Sequence, residues 1–239
     1  MNQPAYDDMS CLAEARSRVY ELIASVCNTL PNTDFVTMLM NLDVHSLFTS
    51  ATGDYAASEQ QQKELEQGIK AIEVLRKQAG EVNRDELITR LGVDRTRLYR
   101  GLKRGYGPPP PYESVYQDSH TIMAGSALQV KKAYSDRGYL PPPIGNEPPD
   151  YVGIELDFLR FLCSAEAAAW RSRDKNKAQE YMNTEYDFIN NHVVSWIPRF
   201  YDEVLTHARE DFYRGIARLT TTYIILEAER LGSLISKDK

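Results

Sequence analysis

The chain has 239 residues, 42% of them hydrophobic, so it is long enough to bury a sizeable core in one large domain or two small ones. Its formal net charge of −6 argues against a nucleic-acid-binding surface overall and suits a soluble protein or a basic partner. Its three cysteines are widely spaced and indicate neither a disulfide framework nor a metal cluster, which fits a reducing cytoplasm.

Membrane insertion and secretion are not expected. The N-terminus has no basic start followed by an apolar run, as a secretory signal would. The longest aliphatic cluster, Ile224-Ile225-Leu226, is far too short to span a bilayer. We therefore expect a cytoplasmic protein.

The first hundred residues are predicted to be helical. Apolar residues recur at helical spacing over 9–30, and Pro31 marks the end of that helix. Short helices are expected over 35–40 and 44–48, and a long Gln/Glu/Lys-rich helix over 54–79. Asn83 and Glu86 have the spacing of a capping box at the start of a further helix.

The segment 84–104 resembles a helix-turn-helix, with Leu91-Gly92-Val93 at the turn and a basic helix after it. The segment contains seven Lys or Arg residues and only three Asp or Glu residues. Such an excess of positive charge suits contact with phosphates. The alternative is an ordinary amphipathic helix pair with a solvated arginine face. The acidity of the rest of the chain favours that alternative.

Two proline runs divide the chain. Pro108 to Pro111 form the first, and Pro141 to Pro143 with Pro148 and Pro149 form the second, on either side of a helix predicted near 120–134. Proline fixes the backbone angle φ and has no backbone N–H to donate a hydrogen bond, so both runs are predicted to be extended connectors. The expected organisation is an N-terminal helical half over 1–105, a proline-rich hinge with one helix over 106–150, and a C-terminal helical half over 151–239.

The last ninety residues continue the helical period. Over 151–171 apolar residues form two stripes, as in a helix buried on both sides, and helices follow over 177–194, 196–207 and 212–231. No strand-like alternation persists. The predicted fold class is all-α, a single globular bundle of about ten helices in two halves.

Two motifs carry a resemblance to a known family. One is Pro-Pro-Tyr-Glu-Ser-Val-Tyr, which ends at Tyr116, and the other is Glu147-Pro148-Pro149-Asp150-Tyr151 followed by an apolar, Glu-containing helix. In this order they resemble the TorD/DmsD family of redox-enzyme maturation chaperones, over roughly 12–231. The family pattern has His after the Asp, where this chain has Tyr151, so a role that needs an imidazole is not expected here.

The resemblance implies an all-helical cytoplasmic chaperone and not an enzyme. Its partner would be the apo catalytic subunit of a molybdopterin oxidoreductase, its twin-arginine signal peptide, or both, during cofactor insertion. No cofactor, metal or nucleic acid would be bound, and the chain would be a monomer or a dimer formed by exchange of helical halves. Two alternatives stay open: a helix-turn-helix DNA-binding regulator acting through 84–104, and a molybdenum-cofactor or nucleotide-handling protein.

The residues themselves are compatible with a peptide-binding site. Tyrosines combine apolar area with a polar tip, and carboxylates form strong charge-assisted hydrogen bonds with arginine. The alternative for Asp150 is an N-cap of the following helix. The cargo site is predicted to be lined or shaped by Tyr112, Glu113, Tyr116, Glu147, Asp150, Tyr151 and Glu155.

No catalytic centre is predicted. The sequence contains no Gly-x-Ser-x-Gly, P-loop or dinucleotide fingerprint. His192 and Trp196 lie four apart, but no close second ligand pair accompanies them, so His192 is interpreted as a packed or capping histidine.

Overall fold

The protein folds almost entirely into helices. A computed structural model describes residues 6–53, 55–100, 107–117, 125–144 and 146–237. The helices in these residues are α1 (Tyr6–Asn28), α2 (Thr33–Asn41), α3 (Val44–Thr52), α4 (Glu59–Glu81), α5 (Arg84–Tyr99), α6 (Glu113–Tyr116), α7 (Ser126–Asp136), α8 (Val152–Arg171), α9 (Lys175–Phe188), α10 (Ile197–His207) and α11 (Asp211–Lys237). A π-helical turn, Ile189–Val193, follows α9 directly. The all-α prediction is confirmed.

Five of the helices in the described residues begin at a side-chain cap that the sequence supplies. Asn32, Asp43 and Asp174 each accept a hydrogen bond from the backbone N–H three residues later, at 2.8, 2.9 and 3.0 Å. Ser58 and Gln61 form a reciprocal capping box at the start of α4. Caps of this kind each stabilise a helix by about 0.5–2 kcal/mol. Asn83 caps α5 by accepting from the Asp85 N–H at 2.9 Å.

The core is built around α8, as its two apolar stripes predicted. α1 packs along one side of this helix and α9 packs along another. Leu156, Phe158 and Leu162 are fully buried, and each such side chain contributes about 1.5–3 kcal/mol through the water it excludes. Helices from before and after the proline-rich segment share one hydrophobic cluster. The division of the chain into two halves and a hinge stays a prediction.

A second long contact joins α4 to α11 and depends on two glycines. A Cβ on Gly68 would lie 2.8 Å from the carbonyl oxygen of Gly215, and a Cβ on Gly215 would lie 2.4 Å from the Cβ of Ala71. Both distances are shorter than van der Waals contact allows. The two helix backbones therefore approach each other at a point where a side chain would force them apart.

The predicted turn at Leu91-Gly92-Val93 is wrong, because α5 is one continuous helix. Leu87, Leu91 and Leu98 are all fully buried, so one apolar stripe runs through the glycine. Arg95, on the helix expected to be basic, is buried and donates from Nε to the carbonyl oxygen of Val26 at 3.3 Å. Its charge is directed into the protein. Residues 101–104 of the predicted motif lie outside the described residues, as do residues 120–124 of the helix predicted near 120–134.

A buried charge cluster, which the sequence did not predict, links four helices. Arg16 on α1 donates to Glu227 on α11 at 2.6 Å, to Glu166 on α8 at 2.5 Å, and to Glu185 on α9. Arg230 pairs with Glu227 at 3.0 Å. All five side chains are buried. Three carboxylates thus share two guanidinium groups within the core.

None of the helices formed by the described residues has the length and apolar character that crossing a bilayer demands. Of the three cysteines, Cys27 and Cys163 are buried as expected of small core residues, whereas Cys11 is exposed.

Candidate functional site

The two motif segments meet in space and form what we call the junction, residues 107–117 with 146–155. Tyr112 and Tyr151 form an antiparallel β-bridge. The Val152 N–H donates to the carbonyl of Pro111 at 3.0 Å, and the Glu113 N–H donates to the carbonyl of Asp150 at 3.0 Å. The proline run keeps the first segment extended, so that its backbone can pair with the start of α8.

Asp150 stabilises the junction through a buried hydrogen bond. Its carboxylate is buried and accepts a hydrogen bond from the Ser114 N–H at 3.0 Å. Ser114 lies in the first turn of α6, so Asp150 caps that short helix. The expectation that Asp150 would cap α8 is wrong, because the N-cap of α8 is Tyr151 and no side chain hydrogen-bonds there. Asp150 precedes α8 in the sequence, but the β-bridge between Tyr112 and Tyr151 places its carboxylate at the start of α6.

Tyr151 anchors the junction to α1. Its ring is buried, and its hydroxyl donates to the carbonyl oxygen of Cys27 at 2.6 Å. Burial raises the pKa of this hydroxyl well above its usual range, so it stays a donor. The residue at the family's His position is therefore a structural hydrogen-bond donor in this chain.

Gly153 allows the close approach of α8 to α1. The side chain of Asn28 donates to the Gly153 carbonyl at 3.0 Å. A Cβ on Gly153 would lie 1.8 Å from the Asn28 side-chain oxygen. A glycine is required here, in the first turn of α8, by proximity to the end of α1.

Glu113 and Glu155 are both fully buried. Glu113 lies 3.1 Å from Nδ1 of His192, and Glu155 accepts a hydrogen bond from the Trp196 indole at 3.0 Å. Burial raises the pKa of Glu155 well above its usual range, and the nearby Glu113 carboxylate raises it further. Burial also raises the pKa of Glu113, although the hydrogen bond from His192 opposes this shift. Neither carboxyl reaches the surface in this structure.

Tyr112, Tyr116 and Glu147 are partly exposed. The Tyr112 hydroxyl donates to the Glu147 carboxylate at 2.7 Å. The Tyr116 ring packs on Trp196 with ring centroids 5.6 Å apart, and its hydroxyl donates to the carbonyl of Pro109 at 3.2 Å. Of the seven predicted site residues, these three present polar atoms at the outside of the junction and the other four lie beneath them.

Three partners of the junction were not predicted from the sequence. His192 and Trp196 hold Glu113 and Glu155 from the π turn and the segment after it, and Arg199 on α10 donates to the carbonyl of Tyr116. The spacing of His192 and Trp196 was a signal, but their partners lie 79 and 41 positions away. Among the described residues, no group of three or more His, Cys, Asp or Glu side chains is placed to hold a metal ion.

The described residues form an all-helical fold in which a proline-rich segment is docked on the start of a buried helix. A family model described as the nitrate reductase delta subunit matches residues 58–202, more than half of the chain. The chain belongs to this family, the TorD/DmsD family of chaperones. The resemblance carried by the two motifs is confirmed, as is the expectation of a chaperone and not an enzyme.

Named relatives agree with this assignment. The chain is 24% identical to the chaperone protein TorD of Vibrio cholerae over 230 residues, which cover 96% of this chain and 98% of the relative. It is 21% identical to the chaperone protein TorD of Aliivibrio fischeri over 227 residues, 95% of this chain and 99% of the relative. A perchlorate reductase assembly chaperone protein of Dechloromonas aromatica is 25% identical over 126 residues, 52% of this chain and 55% of the relative.

Proposed function

We propose that this protein is a dedicated cytoplasmic chaperone for a molybdopterin-containing oxidoreductase. It binds the apo catalytic subunit, its twin-arginine signal peptide, or both, while the cofactor is inserted. Membership of a chaperone family supports the class of activity, and the relative named as a perchlorate reductase assembly chaperone supports the class of client. The chaperone carries no cofactor of its own, and acts as a monomer or as a dimer formed by exchange of helical halves.

The observation that carries the proposal is the partly exposed Tyr112–Glu147 pair on a backbone held by the β-bridge. A signal peptide combines basic residues with an apolar stretch. Glu147 supplies a carboxylate for the basic part, and the rings of Tyr112 and Tyr116 supply apolar area beside it at low entropic cost. These three residues contact the cargo in the proposal.

The four buried residues of the predicted site shape it without touching cargo. Asp150 and Tyr151 fix the two backbone segments relative to α6 and α1. Glu113 and Glu155 hold the side of the junction that faces the π turn. A substitution in this group should weaken cargo binding through loss of structure, whereas one at Tyr112 or Glu147 should weaken it in a folded protein.

The client can be identified by recovering the tagged chain from its native cytoplasm after anaerobic growth. Partners are identified by mass, and the form that still bears its signal peptide is scored separately. We expect a molybdoenzyme precursor to copurify. Recovery of DNA, or of no large oxidoreductase subunit, would overturn the proposal.

The contact residues are tested with a Tyr112→Phe, Glu147→Gln double variant. The matched control is Glu73→Gln, which removes an exposed carboxylate on α4. We expect the double variant to unfold at the wild-type temperature within about 2 °C and to recover several-fold less precursor. Equal recovery by all three proteins would show that the cargo binds elsewhere on the chain.

A further inference from the structure

Two carboxyl groups lie buried within the junction, one on each of its two segments. Glu113 begins α6 on the first segment, and Glu155 lies in the first turn of α8 on the second. Both side chains are fully buried, and we call them the acid pair. A buried carboxylate is unfavourable unless hydrogen-bond donors or positive charge compensate it, so the partners of each carboxyl decide which of the two ionises.

The partners of the acid pair are unequal. Glu113 lies 3.1 Å from Nδ1 of His192 and accepts a hydrogen bond from the Gln117 side-chain amide at 2.5 Å. Glu155 accepts a hydrogen bond from the Trp196 indole, and its second oxygen is buried with no partner among the described residues. An unpartnered carboxylate oxygen has lost water without gaining a donor, whereas a protonated carboxyl needs less compensation. The proton of the acid pair therefore belongs on Glu155.

A third carboxyl group adds to the negative charge around Glu155. Burial raises the pKa of Glu155, and the charges of Glu113 and of the buried Asp150 raise it further. Within the described ranges, no Lys or Arg side chain forms an ion pair with any of these three carboxyl groups. An imidazole carries at most one positive charge, so His192 can offset only one of the three.

The described helices around the acid pair bring no further positive charge to it. From α7 and α10, the Tyr134 hydroxyl and the Arg199 guanidinium each donate to a backbone carbonyl. On α1 and α9, Arg16 and Glu185 pair with each other inside the buried charge cluster. The Cys27 thiol at the end of α1 faces a tyrosine hydroxyl at 3.5 Å. Ionisation of both members of the acid pair would thus leave uncompensated negative charge in the junction.

Repulsion between two ionised carboxylates would act across the junction. Glu113 and Val152 each donate a backbone hydrogen bond at 3.0 Å to a carbonyl of the opposite segment. Because Glu113 and Glu155 belong to opposite segments, their repulsion opposes these bonds. We propose that the acid pair is a pH-sensitive switch: the proton on Glu155 keeps the two segments together, and its release to water as the pH rises loosens them.

The direction of the switch follows from the raised pKa of Glu155. The folded pKa lies above the reference value of 4.5, so the stabilisation is fully present below that value and is lost as the pH rises through the folded pKa. Tyr112 and Glu147 lie on the same two segments. Loosening should therefore weaken the cargo contact, a consequence that rests on the proposed function.

The titration can be observed at Trp196, whose indole N–H bonds to Glu155. The chain contains two tryptophans, so an isotope-labelled sample gives two indole cross-peaks by NMR, and the one that remains in Trp170→Phe belongs to Trp196. Between about pH 5 and about pH 10, we expect this cross-peak to show one more transition in the wild type than in Glu155→Gln. Glu113→Gln removes the neighbouring charge and should move that transition to lower pH, whereas the control Glu73→Gln on α4 should titrate as the wild type does.

The loosening is measured by hydrogen exchange at the Glu113 and Val152 amides. The rates are expressed as protection factors, so that the intrinsic pH dependence of exchange cancels. Above the Trp196 transition, we expect their protection to fall by up to about tenfold per pH unit in the wild type and to stay constant in Glu155→Gln. The Leu162 amide in the middle of α8 should keep its protection in both proteins.

Constant protection of the two junction amides in the wild type through the transition would overturn the switch, as would a Trp196 titration that Glu155→Gln leaves unchanged. If Glu155→Gln does not fold, Glu113→Gln decides, and a transition that it does not move would also overturn the switch.

The consequence for cargo is tested by recovering client precursor at one pH below and one pH above the Trp196 transition. Recovery by the wild type should be lower at the higher pH, and recovery by Glu155→Gln should be the same at both. Equal recovery by the wild type would mean that the switch does not act on the cargo contact. Recovery of no precursor at either pH would instead refute the proposed function, because the NMR titration does not depend on cargo.

Discussion

The substitution Glu185→Gln tests the buried charge cluster. The cluster contains three carboxyl groups but only two guanidinium groups, so one carboxyl group exceeds the positive charge available. Burial raises the pKa of Glu185 to about 8, although Arg16 opposes this shift. One oxygen accepts from Arg16, while the other is buried with no partner among the described residues. This is the environment of a protonated carboxyl group, which a glutamine side chain imitates.

The sign of the pH dependence follows from the direction of the shift. The folded pKa of about 8 lies above the reference value of 4.5, so the folded protein keeps a proton that the unfolded chain releases. The stabilisation is fully present below pH 4.5 and is lost as the pH rises toward 8. Each pH unit within this window lowers the free energy of unfolding by at most about 1.4 kcal/mol.

The assay is urea unfolding of the wild type and Glu185→Gln at about pH 5.5 and about pH 7.5. Glu113 and Glu155 also have raised pKa values, but their contributions are common to both proteins and cancel in the difference. We expect the stability of the wild type relative to the variant to fall by about 2 kcal/mol between the two conditions. For a domain of this size that corresponds to roughly 4–8 °C in Tm.

A stability difference between wild type and variant that is the same at both pH values would refute the reasoning. It would mean that Glu185 is ionised in the folded protein and that Arg16 outweighs burial. Glu73→Gln is the control, since an exposed glutamate on α4 should leave the pH dependence of the wild type unchanged.

Four further substitutions test the packing of α1 against α8, the interior of α4, the buried charge cluster and the anchoring of Tyr151. Gly153→Ala places a Cβ against Asn28 and should lower the free energy of unfolding by about 2–3 kcal/mol. A Cβ on Gly80 would have no described atom within 4 Å, so Gly80→Ala should raise the free energy of unfolding by about 0.5–1 kcal/mol. Urea titration measures both changes. Loss of stability in Gly80→Ala would contradict the open space around that residue. Arg16→Met leaves three buried carboxyl groups without their shared partner and should cost about 3–5 kcal/mol at neutral pH by the same titration. Tyr151→Phe removes the hydrogen bond to the Cys27 carbonyl and should cost about 1 kcal/mol, and a cost near zero would mean that Arg95 alone satisfies this carbonyl.

The helices could be predicted from the sequence because their signals are local. The two apolar stripes of α8 indicated a helix buried on both sides, and Pro31 indicated where the first helix would end. The turn predicted at Gly92 was wrong because a glycine interrupts a helix only weakly when leucines on both sides are buried in one stripe.

The interior of the site could not be predicted, because its partners are distant in sequence. Arg16 and Glu227 are 211 positions apart, and Glu113 and His192 are 79 apart. Spacing patterns report which residues share a helix face but not which helices meet. The two motifs predicted that Tyr112 and Tyr151 lie close together, as their β-bridge shows. The burial of Glu113, Asp150 and Glu155 depends on tertiary packing and could not be predicted from the motifs.

The most direct test of the chaperone assignment is the cofactor content of the client. The molybdenum content of the copurifying oxidoreductase should be measured after expression with the wild-type chain, without the chain, and with the Tyr112→Phe, Glu147→Gln variant. We expect full loading only with the wild-type chain and a mostly apo client in the other two cases. A fully loaded client in the absence of the chain would contradict the proposed role in cofactor insertion.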